Sequence, residues 1–241
     1  MTSISKIALA CAALVAASGA FAQKAGDNIG SIGLAYISPQ ADVGNLTSTS
    51  AVPAIGSAFT QQLAGASASV GPQTTVSFSL LHMFTDNVGG EFTLGIPAEF
   101  TQDLTANGVN HPGAAKMKIW TPTAVAKYFF ATPQDKLRPY VGFGVTRVSF
   151  HDVSTLKDGG TVQALAGTSA DFSSSWAPVY NAGVIYNIDD KWSINGSVSY
   201  LPIKTTATFV GPGVNPAAPV TTTGDVKLNT TDYVIRLGYK F

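Results

Sequence analysis

At 241 residues the chain has room for one large all-β domain or two smaller ones. Only 12% of its residues are charged, and 14 basic residues balance 14 acidic ones, so no basic field points to nucleic acid and no acidic field to a polycation. A slightly positive mean hydropathy with 24 Gly is too apolar for a disordered chain and too poor in charge for an ordinary soluble surface.

The first element is a leader. "MTSISKIALACAALVAASGAFAQ" carries one cation, Lys6, then an apolar run from Ile7 to Val15, then small residues ending in Ala20-Phe21-Ala22. That pattern predicts a secretory signal over 1–22 and a mature domain over 23–241 beginning at Gln23. Cleavage removes Lys6 and no acid, taking the formal charge from zero to −1. The apolar run continues past Cys11 and few residues precede it, which argues against an acylated lipoprotein cysteine. Without Cys11 the mature chain has no thiol, hence no disulfide.

No later stretch approaches the roughly 18 consecutive apolar residues of a spanning helix. Instead, eight segments read as strands: 28–38, 73–84, 88–97, 118–130, 137–150, 176–188, 191–204 and 225–241. The last, ending "TTDYVIRLGYKF", puts Tyr233, Ile235, Leu237, Tyr239 and Phe241 on every second position. Such a greasy terminal edge is hazardous unless it is paired. Short links (Thr85-Asp86-Asn87, "ATPQDK", Asp189-Asp190) alternate with long Ser/Thr/Ala/Gly/Pro-rich ones at 39–72, 98–117, 151–175 and 205–224. Period-two strands, a leader and this asymmetry predict an all-β, eight-stranded antiparallel up-and-down transmembrane barrel in a Gram-negative outer membrane. The short side and both termini are expected in the periplasm, and the last strand closes on the first.

Parity then assigns faces. In 88–97, Val88, Phe92, Leu94 and Ile96 suit lipid, leaving Glu91 and Thr93 inside; in 118–130, Thr123, Val125, Lys127 and Phe129 turn inward. Ser77, Ser79, Leu81 and Met83, then Asn181, Gly183 and Ile185, then Ser193, Asn195, Ser197 and Ser199 also point inward, with Val234, Arg236, Gly238 and Lys240. Glu91, Lys127, Arg236 and Lys240 therefore form an expected charge cluster near the short-turn end, acting as a plug or a gate. Leu81, Met83, Val125, Phe129, Ile185 and Val234 are the apolar lumen residues, suited to greasy solutes or to simple filling. His82 falls on the outward face, and His111 and His151 fall in loops. No Ser–His–acid, His-pair or metal spacing is visible, so neither catalytic residue nor cofactor is assigned.

"FTDNVGGEFTLGIP", "TPTAVAKYFF", "LRPYVGFGVTRVSF", "DDKWSINGSVSYLPIKTTATF" and the final "LGYKF" resemble the OmpW family, AlkL-like proteins included. The resemblance implies a passive, porin-like conduit for small hydrophobic molecules with lateral release into the membrane. Through its "LGIP", it implies Pro97 as the site of the opening; a proline that simply ends a strand is the other reading. It also implies that Tyr239 and the terminal Phe241 serve as an insertion signal for the barrel assembly machinery. Outer-membrane lipids, lipopolysaccharide and small hydrophobic solutes are the other expected partners. A filled, non-conducting barrel with loop-mediated binding, a conduit for small polar solutes and, last, a lipid-modifying enzyme stay open as alternatives. Oligomeric state is not legible.

Overall fold

A computed structural model describes residues 23–157 and 160–241. The leader expected over 1–22 lies outside the described residues. The elements are β1 (Asn28–Val43), β2 (Thr47–Ser50), α1 (Pro53–Gln62), β3 (Ser67–Val70), β4 (Gln73–Met83), β5 (Val88–Gly95), β6 (Ala98–Ala106), β7 (Val109–Trp120) and β8 (Thr123–Phe129). There follow β9 (Leu137–Thr155), α2 (Thr161–Ala166), β10 (Ser169–Phe172), β11 (Ser175–Asn187), β12 (Trp192–Gly211) and β13 (Val220–Lys240).

Eight of these strands form a closed antiparallel ring, β1-β4-β5-β8-β9-β11-β12-β13 and back to β1. Closure runs from Ile29↔Lys240 to Val43↔Val226, so the apolar terminal strand has no free edge. The Phe241 N–H donates to the Asn28 carbonyl at 3.1 Å, finishing the seam. Deleting Phe241 removes that bond, and we expect a lower folded, heat-modifiable fraction in membranes; an unchanged folding yield would contradict it.

The outer surface is apolar as the strand period requires: Ile32, Leu34, Phe78, Leu80, Phe92, Phe143, Ile235 and Leu237 are all exposed. In water such a continuous belt would drive aggregation, whereas in a bilayer it meets its own kind. Trp192 stacks edge-on against Tyr239 at 4.9 Å, and exposed Trp120, Tyr200 and Tyr233 join the aromatic set. Trp176 also points outward, beneath the Arg147 guanidinium at 5.6 Å.

The short turns are tied by side chains. Asn87 Nδ2 donates to the carbonyls of Phe129 (2.8 Å) and Ala131 (3.0 Å), locking the first turn to the second. Asp189 accepts from the N–H groups of Trp192 (2.7 Å) and Lys191 (2.8 Å). Those two donors hold its carboxyl below the usual carboxylate range.

The long connections are far more ordered than their composition suggests. Strands expected to stop near 38, 150 and 204 continue to Val43, Thr155 and Gly211. Most of the 98–117 segment is a hairpin, β6–β7, turning at Asn107-Gly108 with φ of 49° and 73°. Asn-Gly with two positive φ values is a strong hairpin signal. His111 and His151 therefore sit on strands β7 and β9 instead of in loops. Above the barrel, α1 and α2 bring Phe59, Leu63, Val162 and Leu165 into one cluster with Leu46, Leu104 and Val220. Gly56 lets α1 lie on β2, since a Cβ there would sit 3.0 Å from the Ser48 carbonyl oxygen.

Candidate functional site: a closed floor, a chamber and a broken wall

The lumen is organised in layers. At the short-turn end, Ile29, Leu81, Met83, Phe129, Tyr140 and Ile185 pack into one buried cluster. Beneath it Arg138, fully buried, donates to the main-chain carbonyls of Gln23 and Asp86, while Gln23 Nε2 donates to Asn187 Oδ1 at 2.7 Å. Arg138 also lies 5.3 Å from the Phe129 ring. Tyr140 donates its hydroxyl to Asn195 Oδ1 at 2.9 Å, in space left by Gly183, where a Cβ would fall 2.5 Å from the Tyr140 oxygen. Gly183→Val should therefore displace Tyr140 and cost about 1–3 kcal/mol, read as a lower denaturant midpoint. Unchanged stability would mean that the floor is loosely packed.

The charged layer comes next. Glu91 Oε1 lies 2.8 Å from Lys127 Nζ and 3.5 Å from Arg236 Nη1, and accepts from Thr93 Oγ1 at 3.3 Å. Arg236 donates from Nε and Nη2 to Ser77 Oγ, at 3.1 and 2.8 Å. Lys127 sits 4.3 Å above the Tyr140 ring. All three ionic groups are buried, so each charge depends on its partners rather than on water.

Lys240 does not belong to this cluster: its Nζ lies 3.4 Å from Asp27 near the rim. It is four residues past Arg236 on the same face, about 13 Å along an extended strand, too far to share Glu91. The apolar set divides as well. Leu81, Met83, Phe129 and Ile185 build the floor; Val125 belongs to the apolar core above, and Val234 lines the open chamber.

That chamber, of about 80 Å³, stands on Glu91 and Arg236 and is walled by Thr93, Val125, Asn181, Ser199, Asp232 and Val234. It adjoins an apolar cavity of about 30 Å³ lined by Phe100, Ile119, Val148, Leu201, Ile203 and Leu228. A further one of about 30 Å³ lies under α2, against Leu165, Phe209 and Val226.

Beside the chamber the wall is broken. β5 pairs with β8 as far as Thr93↔Thr123, and β6 pairs with β7 from Ala98↔Ile119. Residues 94–97 thus face residues 120–122, four against three, and the register slips by one. Pro97 and Pro122 both fall in this interval; Pro97 brings no N–H to it, while the Pro122 carbonyl accepts from the Arg147 N–H and so faces β9. Ile96 gives its N–H to Val76; strand alternation therefore aims position 97 at the 120–122 edge, where the donor is missing. On the other flank, the ladder to β4 ends at Ile96→Val76, and the next bond is Gly71 N–H to Thr101 O. Among the described residues no ladder joins 72–75 to 97–100. Ile96, over half exposed, and Ala98 and Thr121 line the chamber from this broken section.

Sequence reasoning did not single out Arg138, Asp232 or Pro122. The signals were present: Asp232 shares the parity of Val234 and Arg236, and Arg138 that of Tyr140.

Comparison with known proteins agrees with this architecture. The chain is 29% identical over 234 residues to outer membrane protein W of Vibrio cholerae, covering 97% of each chain. It is 28% identical over 180 residues to outer membrane protein AlkL of Ectopseudomonas oleovorans, covering 74% of this chain and 70% of that protein. The crystal structure of the outer membrane protein OprG from Pseudomonas aeruginosa superposes with a TM-score of 0.77 at 26% identity, over 92% of this chain and 99% of that one. The family model described as the OmpW family matches residues 24–241, and the chain belongs to the OmpW family of eight-stranded outer-membrane barrels.

Proposed function

We propose that this barrel is a passive conduit for small hydrophobic molecules that enters solutes from the long-loop end and releases them sideways into the bilayer at Pro97. The short turns and both termini then lie in the periplasm, and the mature chain starts at Gln23. The observation that carries the reading is the pairing of a closed floor with a broken wall at the same chamber. A solute reaching the chamber would have to part the Glu91–Lys127–Arg236 layer and then the Phe129–Tyr140 cluster to go straight through. Each polar group it displaced would lose partners, at a cost that an apolar molecule cannot repay. Sideways, it meets a stretch of wall without ladder bonds and, beyond it, hydrocarbon.

The known relatives support the outer-membrane setting. The test is uptake into lipid vesicles holding the mature chain, with a panel of apolar and polar solutes of equal size. Apolar solutes should enter faster than in protein-free vesicles, and polar ones should not. Equal entry of polar solutes would favour a polar conduit, and no entry of either a filled barrel.

A further inference from the structure

The chamber is not purely apolar, and its polar atoms are unevenly satisfied. Asn181, Ser199 and Asp232 stand directly opposite one another on three adjacent strands: Asn181↔Ser199 across β11–β12 and Ser199↔Asp232 across β12–β13. Opposed residues in such ladders lie about 5 Å apart, so the three form one row across the chamber wall. Asn181 donates from Nδ2 to Ser199 Oγ at 2.9 Å and to the Val198 carbonyl at 3.2 Å, which turns its Oδ1 away from the wall. That Oδ1 and Asp232 Oδ1 are both buried and accept no hydrogen bond from the protein. Asn181, Ser199 and Asp232 all line the chamber, and Asp232 also lines the apolar cavity above it.

Buried acceptors without donors are rare, and each wants a partner. The charged floor does not supply one. Arg236, the nearest cation on the same strand, is already committed to Ser77 and Glu91. Asp232 therefore sits at a junction: acceptors on one wall, apolar side chains above, and the broken wall at Ile96 opening from the same chamber.

We infer that the Asn181–Ser199–Asp232 row is a binding subsite for the hydrogen-bond-donor head, hydroxyl or ammonium, of a small amphiphilic solute whose apolar part occupies the cavity above. This rests on the conduit reading and narrows it, from hydrophobic molecules at large to those carrying one donor at an end. A hydrocarbon of the same length fills the apolar cavity but leaves both acceptors unpaired or wet. A donor-bearing molecule satisfies them and gains on the hydrocarbon by one or two hydrogen bonds, about tenfold in affinity.

The experiment uses the mature chain in lipid vesicles, titrated with hexane, 1-hexanol and hexylammonium at matched concentrations in the bilayer. The Asn181 side-chain amide resonance reports binding directly, and solute flux is measured in parallel. We expect 1-hexanol, hexylammonium or both to shift the Asn181 amide saturably, about tenfold more tightly than hexane. Which of the two binds tighter separates a neutral hydroxyl from an ammonium as the preferred head. Asp232→Val should abolish that preference in the amide titration. The variant breaks no protein hydrogen bond at Oδ1, and Asn181→Leu on the neighbouring strand is a second, independent variant. Equal response to all three solutes, or a preference that survives Asp232→Val in the amide titration and Asn181→Leu in the flux, overturns the subsite and leaves the conduit standing. Failure of hexane flux in the parent counts against the conduit, and the amide titration still decides the subsite by itself.

Discussion

Glu91→Gln is expected to lower the free energy of unfolding by about 3–5 kcal/mol. In the native barrel one carboxylate serves two cations, Lys127 at 2.8 Å and Arg236 at 3.5 Å, where water does not reach. Amide replacement keeps the shape and removes the negative charge. Two buried like charges then confront each other in a medium that screens them poorly, held by neutral partners (the amide oxygen at 91, Ser77 and the Tyr140 ring) in place of a carboxylate. The loss is large because the remaining ions are uncompensated, not because the native ion group is itself worth that much. Adding Lys127→Met to Glu91→Gln should therefore recover most of it, since Arg236 keeps its two bonds to Ser77. Urea titration of the refolded barrel measures both variants. A single variant within about 0.5 kcal/mol of the parent, the ordinary scatter of a surface change, would mean that the layer is hydrated.

The second large effect concerns the wall. Pro97→Ala returns one backbone donor to the interval where 94–97 face 120–122. The restored bond is worth about 1 kcal/mol and biases the wall toward a closed arrangement by that much. That corresponds to roughly fivefold fewer open walls and a similar fall in apolar-solute uptake. Pro122→Ala should leave uptake unchanged, because the Pro122 carbonyl accepts from the Arg147 N–H and an N–H at that position would face β9, away from the gap. The β-signature in circular dichroism should not change in either variant. Parental uptake in Pro97→Ala would remove the broken wall from the transport route.

Strand number, face and closure were legible because a bilayer-spanning strand imposes period two with few exceptions, and Tyr233 to Phe241 show it without a break. Glu91, Lys127 and Arg236 could be grouped because parity and depth are both countable along a strand. Lys240 was misgrouped for the same reason: parity set its face, but its depth, two inward positions below Arg236, brought it to Asp27 at the rim. The long connections were misjudged on composition. Ser, Thr and Ala on strands that rise clear of the bilayer need no greasy face, so the lipid alternation that marks a spanning strand fades there. Only the Asn107-Gly108 turn betrays the β6–β7 hairpin locally. The wall break was half legible. Pro97 marks one edge, but its meaning depends on a register slip that pairing alone reveals.

The central claim is that solute leaves through the wall and not through the floor. Stopped-flow fluorescence on vesicles carrying the mature barrel tests it most directly, with one quenchable reporter held in the bilayer core and another sealed in the vesicle interior. The account predicts that an apolar solute added outside reaches the bilayer reporter first, and that the Pro97→Ala variant slows this arrival about fivefold. Arrival at the interior reporter before the bilayer reporter, unaffected by the substitution, would contradict it.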